Sequence, residues 1–376
     1  MAPFDCLVVG GGPAGATAAY HLARRGRAVL VLEQAMLPRY KPCGGGVAPE
    51  VQAWFDFDLS PAISHGVTLN RYSWQHGDSI EVPLEASQPI WMVRRETFDR
   101  FLLVQAERQG ARLRQGTAAT GIEQGRDAVS VHAAGGTTSG RYLIAADGGK
   151  GPLAHWLGFK QRKRVLAGAL ETEVPADPGA DPRAYFDFGA IAQGYLWNFP
   201  KADGYSLGAG AFGRRGVQNL KQAVAHYAQS FGLDTADCPH WGHPISLWNG
   251  PQRLHAHRAL LAGEAACVTD PLTAEGIRPA ILSGLKAAEA VDRALAGQPE
   301  ALPDYSRAIA QEWGRQMRWA QRLAELFYRF PRFSYRNTLK RPSATRTFGR
   351  ILCGELRYSD IAGSALKRLQ ARLAGG

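Results

Sequence analysis

The sequence predicts an α/β molecule: a parallel-sheet unit at the N-terminus, an inserted antiparallel sheet and a helical C-terminal segment. Three observations carry this. The first thirty-three residues read strand, glycine turn, helix, strand; the chain from Val165 to about Trp248 alternates with a period of two; and residues 317–376 combine helical spacing with thirteen Arg and Lys against three acids. At 376 residues the chain exceeds the usual size of one hydrophobic core, so two intimately joined domains are expected.

The opening unit runs Asp5 to Val9, then Gly10-Gly11-Gly12-Pro13-Ala14-Gly15, a helix-length segment from Ala14 to Arg25, and Val29-Leu30-Val31-Leu32-Glu33. This is a GxGxxG fingerprint in its proper setting. Gly10 permits the tight turn, Gly12 lets backbone approach a pyrophosphate, and Gly15 lets helix and strand pack closely. The helix start offers free N–H groups to phosphates, and Glu33 stands where an acid accepts a ribose hydroxyl. Glycines serving packing alone are the plainer reading, and the placed acid argues against it.

Next comes Pro38-Arg39-Tyr40-Lys41-Pro42-Cys43-Gly44-Gly45-Gly46. Prolines stiffen the approach and glycines remove side chains, so backbone and one thiol can come close to something flat; a mobile glycine loop is the alternative. Residues 67–93 read as short strands with a polar turn at His76-Gly77-Asp78. From Thr97 to Gln109, Phe98, Phe101, Leu102 and Ala106 recur at helical spacing. Arg95 sits at the mouth of that helix, where a guanidinium either reaches a phosphate or caps a strand. The run Tyr142 to Ala146 is a strand ending in Asp147-Gly148, either a cofactor edge or a plain turn.

In the alternating region, Tyr195, Trp197 and Phe199 project from one face of Gly194-Tyr195-Leu196-Trp197-Asn198-Phe199-Pro200-Lys201. They are either sheet core or the wall of an apolar pocket. Gly208 to Gly213 also spells GxGxxG, but no acid-terminated strand follows, and it reads as a glycine-softened strand end. Ala259 to Ala262 is a buried strand leading to Gly263-Glu264-Ala265-Ala266. A loop through Asp270-Pro271 and Thr273-Ala274-Glu275-Gly276-Ile277 starts a helix reaching about Ala296. Its dipole would favour an anion in the cleft by about 1 kcal/mol. Residues 305–330 are amphipathic, with Leu323, Leu326, Phe327 and Phe330 on one face and Arg322 and Arg329 on the other. The expectation is that the apolar face packs on the protein body, membrane docking by the basic face being the alternative.

Composition narrows the class. No apolar run approaches the roughly 20 residues of a membrane span, and the apolar N-terminus is used as a strand, so a cytoplasmic or peripheral protein is expected. Cys6, Cys43, Cys238, Cys267 and Cys353 show no Cys-x-x-Cys spacing, which argues against iron–sulfur or structural zinc. The net charge of +11 lies almost wholly in the tail. Without a base-stacking or finger motif, nucleic acid is not the expected partner; an anionic membrane surface or acidic protein is.

These motifs together resemble the geranylgeranyl reductase family of FAD-dependent oxidoreductases, within the p-hydroxybenzoate-hydroxylase-like flavoproteins. The resemblance rests on the glycine fingerprint, Lys41-Pro42-Cys43-Gly44-Gly45-Gly46, Tyr195-x-Trp197-x-Phe199-Pro200-Lys201, and Gly263-Glu264-Ala265-Ala266 through Gly276-Ile277. It implies a FAD-binding Rossmann-like domain from 1–66, 94–160 and 253–300, an antiparallel-sheet substrate domain from 67–93 and 161–252, and a basic helical segment, 301–376. It implies FAD held by Ala14, Glu33, Cys43, Gly44, Gly46, Arg95, Ala119, Glu264, Gly276 and Ile277, with Gly10, Gly12, Gly15 and Asp147 from the motifs above. Tyr195, Trp197, Phe199 and Pro200 would then meet substrate. The implied reaction saturates carbon–carbon double bonds of a geranylgeranyl chain on a chlorophyll precursor, lipid or diphosphate. Reduced FAD would give hydride to one alkene carbon, with Cys43 or Tyr195 influencing the proton to the other.

Glu264 stands where the wider group has Asp, and Ala274 replaces a Gly. Gly151 and Ala154 replace the usual Ser and Arg, so the electron donor is NADPH or a ferredoxin-like acidic protein drawn to the basic tail. Rival readings are a flavin monooxygenase or halogenase on the same scaffold, and a flavin electron-transfer protein.

Overall fold

The computed structural model describes residues 4–159, 164–213 and 219–361. The first sheet joins β1 (Phe4–Val9), β2 (Val29–Leu32), β8 (Arg112–Arg114), β9 (Ala119–Gln124), β10 (Val129–Ala133), β11 (Gly136–Ala145) and β17 (Ala259–Leu261). Its order is β8-β2-β1-β11-β10-β9, with β17 parallel to β11. The centre, β1 between β2 and β11, is parallel. Both its faces are covered, so Leu7, Val8, Leu30, Val31, Leu143 and Ile144 read as unbroken apolar runs and are buried. Between β1 and β2 lies α1 (Pro13–Arg24), packed against α2 (Arg95–Arg108) and α5 (Ile277–Leu295). A Cβ on Gly15 would stand 1.9 Å from the Gly10 carbonyl oxygen, so strand and helix approach this closely only with glycine there.

The second sheet joins β5 (Leu69–Trp74), β6 (Ser79–Pro83), β12 (Val165–Pro175), β13 (Arg183–Phe188), β14 (Gly194–Lys201), β15 (Gly204–Ala211) and β16 (His240–Leu247) in the order β16-β12-β15-β14-β13-β5-β6. It departs from the antiparallel expectation at one seam, where β5 and β13 run parallel. These strands are far apart in sequence, so no hairpin fixes their direction. A third sheet holds β3 (Gly46–Val47), β4 (His65–Val67) and β7 (Ile90–Met92), so the last strand of segment 67–93 leaves the large antiparallel sheet and pairs beside the glycine loop.

The remaining helices are α3 (Leu153–Trp156), α4 (Leu220–Gln229), α6 (Ala301–Ala308), α7 (Gly314–Arg329), α8 (Pro331–Ser334) and α9 (Pro342–Leu352). Helix α4 starts at Asn219, whose side chain accepts from the Gln222 N–H, and lays Val224, Tyr227 and Ala228 against Leu196, Leu207 and Ala209. That burial settles the two faces of β14: Leu196 belongs to the core, leaving Tyr195, Trp197 and Phe199 on the other side.

Two expectations are refined here. The segment Gly208 to Gly213 does hold the end of β15, at Ala211, but Gly208 itself lies within the strand, where a Cβ would fall 2.1 Å from the Trp197 indole, and makes room for that ring. The apolar face read on α7 packs on the body only in part. The Phe327 ring meets that of Phe188 at 5.2 Å between centroids, and Met317, Ala320, Ala324 and Tyr328 are buried, while Leu323, Leu326 and Phe330 are exposed. Small residues allow closer helix approach, so the core takes the Ala-rich stripe and leaves the bulky one outside. Among the described residues no helix is long and apolar enough to cross a membrane.

Candidate active site

A cavity of about 1130 Å³ runs from the glycine turn after β1 to the aromatic face of β14. At its inner end α1 begins at Gly12, whose backbone is extended and carries no side-chain cap; α5 begins at Gly276, also without a side-chain cap. Two helix starts therefore present free N–H groups, and both border the cavity. Glu33 accepts from the Gly11 N–H at 2.7 Å and the Ala35 N–H at 3.0 Å, so the acid read as a ribose ligand also holds the glycine turn.

Facing Gly12 are two guanidiniums. A Cβ on that glycine would lie 3.8 Å from Arg39 Nη2 and 3.9 Å from Arg95 Nη2. Both arginines grip Asp99, which is fully buried: Arg95 in bidentate fashion at 2.8 Å and 2.8 Å, Arg39 at 3.1 Å. Burial opposes the Arg95 charge, but Asp99 outweighs it and holds the guanidinium protonated; the same side chain faces the Cys43 thiol. Arg95 thus faces the start of α1 with Asp99 as its partner. Arg39 and Asp99 had escaped assignment, although Arg39 lies inside the proline-flanked segment that stands out in the sequence.

Ala14, Ala119, Asp147, Glu264 and Ile277 all border the cavity, whereas Gly15 lies behind it in the helix–strand contact. The Asp147 carboxylate accepts from the Leu153 N–H at 2.9 Å. Glu264 accepts from the Ser246 N–H at 2.9 Å and pairs with His243 at 3.2 Å, while Lys41 Nζ lies 3.0 Å from the same imidazole. Burial pushes the Lys41 ammonium down to about 8, with Arg95 adding to the shift. Neither Lys41 nor His243 carried a sequence signal of this kind.

The outer half is aromatic. Cys43, Gly44 and Gly46 line it together with Tyr195, Trp197, Phe199, Phe186 and Phe188. The loop lies directly on the rings: a Cβ on Gly44 would meet Phe199 at 2.9 Å and Trp197 Nε1 at 3.3 Å. Pro200 is not in the lining, because the alternation that aims Phe199 into the cavity turns residue 200 to the opposite face. The Tyr195 hydroxyl donates to the Thr273 carbonyl at 2.7 Å, tying the aromatic strand to the loop before α5, and burial raises its pKa.

Beneath the loop is a buried polar group of residues. Lys201 Nζ donates to the carbonyls of Gly44 at 2.6 Å and Val93 at 3.0 Å, and the Gly45 carbonyl accepts from the Val93 N–H at 2.9 Å. Trp197 donates to Ser206 at 3.2 Å, and Ser206 to Glu171 at 2.8 Å. Burial pushes Glu171 up to about 7, against the pull of Ser206 and Lys201. The signal for Glu171 was an acid at a cavity-facing position of an alternating strand.

These residues fit a flavin dinucleotide. Two uncapped helix starts and two arginines converge where a pyrophosphate belongs, an acid ends β2, and a flat glycine floor adjoins an aromatic wall. Among the described residues no His, Cys, Asp and Glu cluster forms a metal site.

The FAD binding domain family model matches residues 4–186. Menaquinone reductase of Mycobacterium tuberculosis is 32% identical over 365 residues, covering 88% of this chain and 85% of its own length. Geranylgeranyl diphosphate reductase of Rhodobacter capsulatus is 28% identical, covering 86% and 84%. Among solved structures, a geranylgeranyl bacteriochlorophyll reductase-like protein from Thermoplasma acidophilum superposes with a TM-score of 0.79 at 22% identity, over 87% of this chain and 88% of that one. A flavin-dependent brominase reaches 0.74 at 18% identity, over 98% and 99%, a likeness of fold alone.

Proposed function

Because this chain belongs to the geranylgeranyl reductase family of FAD-dependent oxidoreductases, we propose that it saturates carbon–carbon double bonds of a geranylgeranyl or other polyprenyl chain carried on a lipid, quinone, chlorophyll precursor or diphosphate. Its cofactor is FAD and its reaction class is reduction at CH–CH groups. The relatives named above take substrates with different headgroups, a quinone and a diphosphate, that share a polyprenyl tail. A site that reads the tail is the common requirement. The observation that carries the proposal is the contact of Gly44 with Phe199 and Trp197, which sets an apolar, ring-walled slot against the floor of the cofactor half.

FAD, when bound and reduced, supplies the hydride. The chain's own residues do the rest. Arg39, Arg95 and the starts of α1 and α5 would hold the phosphates and isoalloxazine edge, and the Cys43–Gly46 loop would set the ring's depth. Tyr195, Trp197 and Phe199 would exclude water, hold the alkene at about 3–3.5 Å and stabilise positive charge developing on carbon. We assign influence over the proton to Cys43 and Tyr195. Tyr195 is held by Thr273 with its proton retained by burial, and Cys43 lies at the loop itself. NADPH or a ferredoxin-like protein supplies the electrons.

The test is mass spectrometry after anaerobic incubation of prereduced enzyme with geranylgeranyl diphosphate, a prenylated quinone and an unsaturated polyprenyl lipid. Gain of two hydrogens per reduced bond is expected in at least one. No gain in any overturns the proposal. Full single-turnover rates in both Cys43→Ala and Tyr195→Phe overturn the proton assignment.

A further inference from the structure

We infer that the α7–α8 corner is a docking surface for an anionic lipid bilayer, seating the mouth of the cavity on the membrane. This rests on the reading of a lipid-chain substrate and adds the partner that presents it.

Leu323, Leu326, Phe330 and Phe333 are 37%, 57%, 51% and 67% exposed. The first three recur at helical spacing and share one stripe of α7 and its end, and Phe333 follows on α8. Among the described residues none covers them. Leu323 and Leu326 also line the cavity, so side chains that reach solvent here mark its opening. Isolated exposed apolar residues need no explanation; four within eleven positions, at a pocket mouth, do.

Charge identifies the occupant. Going round α7, the core stripe of Met317, Ala320 and Ala324 is followed by the apolar stripe, and then by exposed Arg318, Arg322 and Arg329. Arg332 and Arg336 continue the basic side beyond the helix. No ion pair among the described residues engages Arg322, Arg329, Arg332 or Arg336. The Arg322 guanidinium lies over the Trp319 ring, 5.0 Å from its centroid, and that of Arg329 over Phe330 at 5.5 Å, so each charge sits beside apolar surface without an acidic partner. An apolar stripe bordered by unpaired arginines, on a sixteen-residue helix that cannot span a membrane, is the pattern of a helix lying in a lipid interface. An acidic protein would match the arginines but leave bulky aliphatic and aromatic side chains in water, so lipid fits both halves of the surface.

FAD-loaded protein is floated with vesicles of phosphatidylglycerol and phosphatidylcholine, and with phosphatidylcholine alone. Expected is binding at least tenfold tighter to the anionic vesicles, a tenfold or greater loss in Phe330→Ser/Phe333→Ser, and loss of the anionic preference in Arg322→Gln/Arg329→Gln/Arg332→Gln. Bound-FAD absorbance reports that each variant stays folded. Wild-type protein that fails to float with anionic vesicles overturns the inference. So does a serine variant that floats like wild type, or one that loses only its affinity for an acidic ferredoxin. Because flotation needs no turnover, a protein that binds vesicles and reduces no prenyl chain sinks the reductase reading and leaves this one standing.

Discussion

Gly44 is where the two halves of the site touch, and the atoms it faces belong to rings fixed in a strand. In Gly44→Ala the new methyl pushes the loop off Phe199, shifting whatever rests on that floor. Single-turnover reduction is expected to fall about 100-fold with FAD still bound, since displacement of this order costs that much in a positioned reaction. Arg39→Ala removes one charge-assisted partner of the anion site. A loss of roughly tenfold to a hundredfold in FAD affinity is expected by fluorescence titration of apoprotein, and a change under twofold would exclude Arg39 from phosphate binding. His21 acts on stability instead. Burial, aided by Arg25 and Arg24, lowers its pKa from 6.5 to about 4, so the unfolded chain takes up a proton the folded one refuses. Its stability contribution is complete above pH 6.5 and is lost as pH falls toward 4. His21→Gln should shrink the drop in denaturant stability between pH 7 and pH 4.5 by about 2–3 kcal/mol.

At the scale of elements, β14 serves two clients. Its Leu196 face is packed under α4, its Tyr195 face walls the cavity, and Lys201 at its end reaches across to the carbonyls of Gly44 and Val93. Lys201→Met should destabilise the fold by about 3 kcal/mol, because Glu171 is left buried without its counter-charge, and adding Glu171→Gln should recover part of that loss in a double-mutant cycle. The period of two made these faces legible but could not say which was core, because that depended on α4, a helix hidden in a region read as strands. Helix α7 went the other way. Its amphipathic pattern was plain, yet alanines and not leucines took the buried side, which hydrophobicity ranks in reverse.

For the whole molecule, the N-terminal fingerprint, the parallel sheet and the change to antiparallel pairing were readable, because glycine turns and apolar periodicity are local in sequence. The long-range pairings were not: β5 beside β13, β7 beside β3, and Arg39 on Asp99 join residues whose meeting only the tertiary fold decides. Among the described residues one cavity is lined both by the dinucleotide cradle and by the aromatic slot. In apoprotein, therefore, a long-chain amphiphile entering from outside can slide inward and occupy the berth of the nucleotide. The order of loading matters: flavin first, hydrocarbon second. Extraction in long-chain detergent should yield colourless protein whose uptake of FAD slows as detergent concentration rises, whereas protein charged with flavin beforehand keeps its colour through the same wash.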